Sequence, residues 1–264
     1  MKVSLIISTY NRPDALKLTI KSALNQTYKP YEIIIADDGS TQETKKLVEK
    51  MKLNSKIPII HVWQEDKGFR LAMIRNRAIA ASKGDYIIII DGDLILDKHF
   101  VYDHVNASKK GLFIQGSRVL LDKELTEKAI SNEIMNFNFF SKGLKNRKNA
   151  IRSKILSSLF SRITTSIKGI RGCNISLYKE DILAVNGFDN TFVGWGREDS
   201  EFAVRLINKG ILRKNLKFSA VAYHLYHPEN SRKSLPENDM KLKKSIEKKL
   251  TWCEDGIDRF LKKE

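Results

Sequence analysis

Short apolar runs alternate with amphipathic stretches through residues 1–115. Tyr86 and the isoleucines Ile87 to Ile90 form a run that is typical of a strand buried on both faces. The same patterns predict strands at 3–8, 32–36, 57–64, 86–90 and 112–117, and helices at 13–24, 41–51, 70–82 and 97–107. This alternation predicts an α/β domain with a mostly parallel sheet flanked by helices.

Residues 122–170 break the alternation and are strongly basic. No Asp or Glu occurs between Glu133 and Glu180, whereas lysine and arginine recur there among apolar side chains. From Ile151 to Ile163 the apolar spacing is close to helical, and a basic amphipathic helix is typical of membrane-surface or anion-binding segments. The alternative is a solvated helix packed on the domain. We predict a basic helical insertion over the rim of the sheet.

The rest of the chain divides into two further parts. Residues 171–230 return to globular character and complete a domain of residues 1–230, whose first half spans 1–118. Residues 231–264 are lysine-rich with apolar side chains at helical spacing. We expect this tail to form one or two helices with one apolar face.

The composition indicates a globular protein with an anionic partner, but it does not identify that partner. The chain has 264 residues, enough for one large domain, and 42% of them are hydrophobic. Its net charge of +16 indicates an anionic partner, which leaves nucleic acid, anionic lipid, a phosphorylated substrate and an acidic polymer open. No apolar run reaches the ~18–20 residues of a membrane span. Two distant cysteines and an N-terminal strand in place of a signal peptide favour a reducing cytosol.

Acidic residues end two of the predicted strands. The isoleucine run leads into Asp91 and Asp93, separated by a glycine, and the strand at 32–36 leads into Asp37 and Asp38. In open α/β sheets, ligands bind beyond the carboxyl ends of the strands. Carboxylates there suit a hard divalent cation that carries a diphosphate. The alternative is an acidic turn, since Asp-Gly is a common turn dipeptide, but the repetition favours a nucleotide–metal site.

The end of the first strand suits a nucleoside. Ser8, Tyr10 and Arg12 supply a hydroxyl, an aromatic ring and a positive charge just before a predicted helix N-terminus. Asp38 could accept the N–H of a uracil ring. The alternative role is a helix N-cap, for which Ser40 fits better than Asp38.

Three arginines lie in or next to the helix predicted at 70–82. Arg70, Arg75 and Arg77 cannot all share one helix face. At least one of them should therefore point towards the rim where phosphates would bind, and another could pair only with surface acids.

Glu198 and Asp199 follow a glycine-flanked tryptophan, Trp195, and begin a predicted helix. Trp195 offers a flat apolar surface for a sugar ring. A carboxylate at a helix N-terminus is held ionised by the helix dipole, which suits a general base that deprotonates a hydroxyl. The alternative is ordinary capping of the helix by acids.

Two histidines, His224 and His227, stand three residues apart at the end of a predicted strand. Either could add a nitrogen ligand to a carboxylate-bound metal, and mixed oxygen and nitrogen ligands favour Mn²⁺ over Mg²⁺. The alternative is a structural role for both. The sequence does not separate the two histidines.

These motifs resemble a known family. Residues 3–12, Asp37-Asp38-Gly39-Ser40 and Asp91-Gly92-Asp93 are similar to the family-2 glycosyltransferases of GT-A fold, a Rossmann-like α/β fold. The resemblance covers residues 1 to about 118, which it makes the nucleotide-binding half. The segment 186–199 looks like the carboxyl half of β-1,4-galactosyltransferases and bacterial chondroitin polymerase modules, and extends the match to about residue 230 as an acceptor and catalytic half.

The resemblance implies a role for each candidate residue. Tyr10 and Asp38 would hold uracil with Ser8 and Arg12 nearby, and Arg70 would lie by the nucleotide. Asp91 would contact the ribose or the metal, and Asp93 would bind the metal. Asp199 would be the catalytic base with Glu198 beside it, and Trp195 would contact the sugar. His227 matches a histidine metal ligand of the galactosyltransferases, and His224 falls where those enzymes have a methionine ligand. Ser200 stands where many relatives carry a further acid, which leaves the contacts to the donor sugar open.

We therefore expect a metal-dependent, inverting glycosyltransferase that uses Mn²⁺ or Mg²⁺. It would move a hexose or N-acetylhexosamine from a UDP-sugar to a hydroxyl of a glycan or lipid-linked glycan acceptor, in bacterial lipopolysaccharide or other surface polysaccharide synthesis. The expected location is the cytoplasm, with peripheral attachment to an anionic membrane surface, the inner face of the cytoplasmic membrane, as an open option.

Two other functions remain as alternatives. A sugar-nucleotide nucleotidyltransferase also uses an α/β sheet and paired aspartates, but should carry a glycine-rich loop after the first strand, and residues 8–13 have no glycine. A non-enzymatic polyanion-binding module fits the charge. Motifs for RNA or DNA recognition are missing, so no nucleic-acid partner is expected.

Overall fold

The computed structural model describes residues 1–228 and 231–261, and its strands and helices alternate along the first half of the chain. The strands are β1 (Val3–Thr9), β2 (Glu32–Asp37), β3 (Ile59–Trp63), β4 (Tyr86–Asp91), β5 (Leu94–Leu96), β6 (Leu112–Gln115), β7 (Val119–Leu121), β8 (Leu144–Lys145), β9 (Arg162–Thr164), β10 (Asn174–Tyr178), β11 (Leu212–Asn215) and β12 (Ala222–His224). The α-helices are α1 (Pro13–Leu24), α2 (Gln42–Leu53), α3 (Leu71–Ala81), α4 (Phe100–Ala107), α5 (Lys123–Ser131), α6 (Lys154–Phe160), α7 (Lys179–Leu183), α8 (Glu198–Asn208) and α9 (Leu235–Glu247), and 3₁₀ turns occur at Arg147–Ala150 and Ile257–Phe260.

The central sheet has the strand order β3-β2-β1-β4-β10-β6-β11-β9. Strands β3, β2, β1 and β4 are mutually parallel, as are β6 and β11, whereas β10 and β9 run antiparallel to their neighbours. The predicted α/β class with a mostly parallel sheet is thus confirmed. Because β10 is antiparallel to both β4 and β6, the carboxyl ends of β1, β2, β4, β6 and β11 share one edge, called here the carboxyl edge.

The isoleucine run of β4 divides its side chains between two cores. Ile88 and Ile90 pack with side chains of α1, α2 and α4 on one face, and Ile87 and Ile89 pack with side chains of α3 and α8 on the other. Since side chains alternate along a strand, a strand covered on both faces must be apolar throughout. This double burial explains the uninterrupted apolar run.

A smaller sheet of order β5-β12-β7-β8 lies beyond the end of β4. Antiparallel pairing of β12 with β5 places His224 opposite Leu94, and the N–H of Leu225 donates to the carbonyl of Asp93 at 3.0 Å. This pairing brings residues about 130 positions apart in sequence to the same place.

The helix expected from Ile151 to Ile163 is wrong in extent. Only Lys154–Phe160 is α-helical, and Arg162–Thr164 forms strand β9, which pairs with β11 at the edge of the central sheet. The β-branched side chains Ile163 and Thr164 favour the extended backbone once a partner strand is present. The basic stretch therefore contributes to the sheet as well as lying on its rim.

The tail forms α9 and the 3₁₀ turn Ile257–Phe260, as expected for one or two helices. The predicted domain boundary at residue 230 and the tail residues 262–264 lie outside the described residues. Within the described ranges, none of the helices combines the length and the apolar character that a bilayer crossing requires.

Candidate functional site

Three parallel strands deliver the candidate side chains to the carboxyl edge. The register aligns Ser8 with Ala36 on one side and with Asp91 on the other, and Thr9 with Asp37. Ligand-binding loops of α/β proteins emerge from this edge. The motifs that the sequence placed at strand ends therefore lie side by side.

Asp38 is buried just after β2, close to the half-exposed ring of Tyr10, and the surroundings of these two residues are called here the pocket of Asp38. Its two carboxylate oxygens accept hydrogen bonds from the backbone N–H of Arg70 at 2.8 Å and from the side-chain amide of Gln64 at 2.6 Å. Burial raises the pKa of Asp38, although the hydrogen bond from Arg70 partly opposes this. The hydroxyl of Tyr10 donates to Asp66 at 2.9 Å. A fixed acceptor beside an aromatic ring suits a planar base.

Ser40 does not cap α2. Its hydroxyl oxygen accepts from the backbone N–H of Asn11 at 2.9 Å, and the amide oxygen of Asn11 accepts from the N–H of Thr41, the N-cap residue, at the same distance. Asn11 adopts a left-handed backbone with φ of 46°. These bonds tie the loop after β1 to the loop after β2, and so fix the wall of the pocket around Tyr10.

Asp93, His224 and His227 converge into a cluster whose ligand atoms all lie within 4.8 Å of one another. Nε2 of each histidine is 3.5 Å from a carboxylate oxygen of Asp93. Burial lowers the pKa of His224 to about 3, so that its imidazole is neutral and keeps a free lone pair. Nδ1 of His227 lies 2.6 Å from the carbonyl of Pro228, and since a carbonyl only accepts, Nδ1 is the donor, which leaves Nε2 on the side of Asp93.

The cluster fits a divalent cation. Oδ1 of Asp93 is buried without a hydrogen-bond partner among the described residues. An unpaired buried carboxylate oxygen is costly unless a cation approaches it. One carboxylate and two imidazoles make a mixed oxygen and nitrogen donor set, in line with the expectation from the sequence.

Asp91 and Arg12 make contacts that the sequence did not suggest. Asp91, expected at the ribose or the metal, stands outside the cluster, and its Oδ1 accepts from Arg75 at 3.0 Å. Arg12, expected near the nucleoside, donates to Asp93 at 3.1 Å and to the carbonyl of Tyr226 at 3.3 Å. Arg12 thus belongs to the metal cluster rather than to the pocket of Asp38.

Arg75 is the functional residue that the sequence did not single out. It is 1% exposed, and its guanidinium donates to Ser8 at 3.3 Å and to Asp91 at 3.0 Å, while Nη1 lies 3.7 Å from Glu198. A Cβ on Gly172 would lie 2.6 Å from Nη1, so this glycine leaves the room that the guanidinium occupies. The sequence showed only that the three arginines cannot share one helix face, which does not tell which of them is enclosed.

Arg70 and Trp195 were predicted to lie by the nucleotide and by the sugar. The guanidinium of Arg70 donates to the carbonyl of Glu65, beside the pocket of Asp38. The ring of Trp195 is 38% exposed, and the guanidinium of Arg232 lies 5.7 Å from its centre. Their contacts to a nucleotide sugar stay a prediction.

The two acids at the start of α8 are buried together. Oδ2 of Asp199 accepts from the backbone N–H of Gly172 at 2.8 Å, and Oε2 of Glu198 is buried without a hydrogen-bond partner among the described residues. Burial raises the pKa of both, and with the charge of Asp199 it raises that of Glu198 to about 7. Burial therefore outweighs the helix dipole, which we expected to dominate.

Helix α9 holds the loop that precedes these acids. The side-chain amide of Asn238 donates to the carbonyls of Val193 at 3.3 Å and Gly196 at 2.9 Å, and Arg197 pairs with Asp239 at 2.5 Å. Arg197 has a left-handed backbone with φ of 77°, which is uncommon for arginine. The tail is thus part of the site rather than an appendage.

Comparison with known proteins assigns the family. The model of glycosyl transferase family 2 matches residues 4–180, more than half of the chain. The chain belongs to this family. A second model, described as the N-terminal domain of galactosyltransferase, matches residues 155–228. Together they confirm both halves of the resemblance found in the sequence, and with it the glycosyltransferase class in place of the two alternatives.

Curated relatives include polysaccharide synthases. Chondroitin synthase of Escherichia coli is 29% identical over 248 residues, covering 86% of this chain and 35% of the relative, and that of Pasteurella multocida is 29% identical over 264 residues, covering 94% and 27%. The chain thus spans about a third of the length of these relatives. UDP-Glc:alpha-D-GlcNAc-diphosphoundecaprenol beta-1,3-glucosyltransferase WfaP of Escherichia coli is 42% identical over 91 residues, covering 34% of this chain and 35% of the relative.

Solved structures confirm the GT-A fold. A mannosyltransferase from Pyrobaculum calidifontis, in complex with GDP-Man and Mn²⁺, aligns with a TM-score of 0.59 at 16% identity, over 86% of this chain and 58% of that one. TarS 1–349 of S. aureus aligns with a TM-score of 0.58 at 18% identity, over 94% and 65%. At these identities the likeness concerns the fold.

Proposed function

We propose that the protein is an inverting, metal-dependent transferase that moves a hexose or N-acetylhexosamine from a UDP-sugar to a hydroxyl of a glycan or lipid-linked glycan. The observation that carries this proposal is the convergence of Asp93, His224 and His227 just beyond the end of β4. At the end of that strand, Arg75 joins Asp91 to Glu198 at the start of α8. A diphosphate on the cluster would place its sugar towards those acids.

The pocket of Asp38 would receive the nucleobase. A carboxylate oxygen of Asp38 accepts the ring N–H of uracil, and the ring of Tyr10 covers one face of the base. Arg70 borders this pocket through its backbone N–H, whereas the hydroxyl of Ser8 accepts from Arg75 next to Asp91, on the side where the rest of the nucleotide would lie. Guanine also has a ring N–H, so that donors carrying GDP belong in the test.

Asp93, His224 and His227 would hold the cation, Mn²⁺ or Mg²⁺. When bound, this cation would neutralise the charge that builds up on the diphosphate as it leaves. Arg12, 3.1 Å from Asp93, adds a second positive charge at the same place. Asp91 would reach the ribose from the neighbouring position on β4.

Asp199 would act as the general base. It takes the proton of the acceptor hydroxyl, whose oxygen attacks the anomeric carbon opposite the diphosphate. The new carbon–oxygen bond forms as the bond to the diphosphate breaks, so that the configuration is inverted in one displacement. Gly172 orients Asp199 by its N–H, Glu198 lies beside it, and the ring of Trp195 would contact the sugar.

The names of the relatives support a surface polysaccharide as the context. The chondroitin synthases are named for a glycan polymer, and WfaP is named for a diphosphoundecaprenol-linked acceptor. We propose a bacterial enzyme of surface polysaccharide or lipopolysaccharide synthesis, acting in the cytoplasm.

A donor screen tests the proposal. Nucleotide release from a panel of UDP- and GDP-sugars is measured with Mn²⁺, with Mg²⁺ and with EDTA, and Asp199→Asn serves as the inactive control. We expect UDP release that needs the metal and that falls in the control. Full turnover in EDTA, or release with GDP-sugars alone, would contradict the proposed metal or donor.

A further inference from the structure

An exposed apolar patch lies on α6 and the first residues of β9. Ile155 is 74% exposed, Leu159 66%, Phe160 53% and Ile163 54%. Large apolar side chains at a surface normally occur singly, and a contiguous group of them marks an interaction site. The patch residues, Ile155, Leu159, Phe160 and Ile163, do not contribute to the site described above.

The patch is held firmly in place. Arg152, just before α6, makes two hydrogen bonds to Asp103, at 2.7 and 2.8 Å. The N–H of Ser153 donates to the carbonyl of Phe218 at 3.0 Å, and the ring of Phe160 contacts that of Phe218 at 5.6 Å. The exposed side chains therefore belong to an anchored element rather than to a loose loop.

Positive charge surrounds the patch. Lys154 and Arg162 are exposed and lie within the same stretch of chain, and Lys168 follows. From 134 to 179 the chain contains neither Asp nor Glu. Apolar side chains beside exposed positive charges are complementary to a bilayer with anionic headgroups, which offers an apolar interior beneath a negative surface.

The patch also lies at the carboxyl edge. Strand β9 is antiparallel to β11, and Arg162 at its start pairs with Asn215 at the end of β11. Since β11 ends at the same edge as β1 and β4, helix α6 stands on the edge from which the catalytic loops emerge. A membrane bound here would face the open side of the active site.

We propose that this patch and its basic neighbours bind an anionic membrane surface and so present the active site to a lipid-linked acceptor. Membrane binding by this surface does not depend on the proposed transfer activity, whereas the presentation of an acceptor rests on it. An acidic polysaccharide is the competing occupant of the same charges.

Vesicle co-sedimentation tests the binding. The full chain is mixed with phosphatidylcholine vesicles with and without phosphatidylglycerol, at low and at high salt. We expect binding only with phosphatidylglycerol, and a decrease with salt because exposed charges are screened. Equal binding of both kinds of vesicle at low salt would overturn the proposal.

Matched variants locate the surface. Two double variants, called here the rim variants, change the patch and its charges: Ile155→Ser with Leu159→Ser, and Lys154→Gln with Arg162→Gln. Each should lower partitioning into anionic vesicles by roughly tenfold. The controls are Leu53→Ser, at an 87% exposed position, and Lys50→Gln with Lys52→Gln. These lie at the end of α2 on the opposite edge of the sheet and should bind as the native protein does. Equal losses of vesicle binding in the rim variants and in the controls would overturn the proposal. So would rim variants that still bind vesicles but no longer bind an acidic polysaccharide.

A separate measurement keeps the two proposals apart. In vesicle-free solution the rim variants should release UDP in the presence of Mn²⁺ as the native protein does, since their side chains are outside the site. If the native protein binds anionic vesicles but releases no UDP, the transfer proposal fails and membrane binding stands. If UDP release is normal and vesicle binding is missing, membrane binding fails alone.

Discussion

Nη2 of Arg75 lies 3.0 Å from Oδ1 of Asp91, which joins the end of β4 to the middle of α3. The same guanidinium reaches Glu198 at 3.7 Å, at the start of α8. One buried arginine therefore connects the nucleotide-binding half of the chain to the half that carries the proposed base. Its charge also compensates two carboxylates that would otherwise repel each other.

Replacement of Arg75 should damage both stability and activity. In Arg75→Met the two carboxylates lose their shared cation, and we expect unfolding free energy to fall by about 2–4 kcal/mol, since breaking a buried ion pair leaves an uncompensated charge. Urea unfolding measures this loss. Arg77→Met on the same helix, which removes a guanidinium 4.8 Å from the ring of Phe260, should cost about 1 kcal/mol or less. Equal losses in the two variants would contradict the role assigned to Arg75.

Removal of the metal ligands should abolish metal-dependent turnover without unfolding the protein. Asp93→Ala deletes a rim carboxylate that contributes little to the core, and His224→Ala removes a neutral imidazole. We expect Mn²⁺ binding, followed by titration calorimetry, to be lost in Asp93→Ala and weakened by about 10–100-fold in His224→Ala. His99→Ala, whose ring contacts Thr27 rather than the cluster, is the control and should bind Mn²⁺ normally.

The base assignment separates two adjacent acids. Asp199→Asn keeps the shape of the side chain but removes the proton acceptor, so kcat should fall by ~10²–10⁴ while donor binding changes little. Glu198→Gln should keep more of the activity, because Glu198 only flanks the base. If Glu198→Gln lowers kcat more than Asp199→Asn does, the general base is Glu198 rather than Asp199.

The pKa of Glu198 predicts a pH dependence of stability in the metal-free protein. Burial raises this pKa from an ordinary value of 4.5 to about 7, so that between these values the folded state holds a proton that the unfolded state has released. The unfolding free energy contributed by this group is therefore fully present below the lower value and decreases as pH rises towards about 7. Thermal unfolding of the native protein and of Glu198→Gln across this range checks it, and a slope that Glu198→Gln leaves unchanged would assign the dependence to other groups.

Local patterns were sufficient for the elements that are buried on both faces. The apolar runs of β1, β2 and β4 predicted those strands to within a residue at each end, since the sheet interior requires continuous apolar side chains. Asp38, Asp93 and Asp199 stand out in the sequence because Asp38 and Asp93 lie within two residues of the ends of β2 and β4, and Asp199 lies in the first turn of α8; their roles stay predictions.

Long-range pairing was beyond local patterns. Strand β9 forms only because β11, about fifty residues later, offers it an edge, so the apolar spacing around Ile163 was mistaken for a helix. Both histidines reach Asp93 because β12 pairs with β5, which the sequence did not indicate. Arg75 looked like Arg70 and Arg77 until the packing of α3 showed which of the three is enclosed.

The hydrogen bonds from Asn238 to the carbonyls of Val193 and Gly196 affect the order in which parts of the site form during translation. A ribosome makes the strands around Asp38 and Asp93 early, and these can pair as soon as they emerge. The loop before Asp199 receives the two hydrogen bonds of Asn238 only once α9 has left the exit tunnel. A nascent chain should therefore pair the strands around Asp38 well before the loop of the proposed base is fully held.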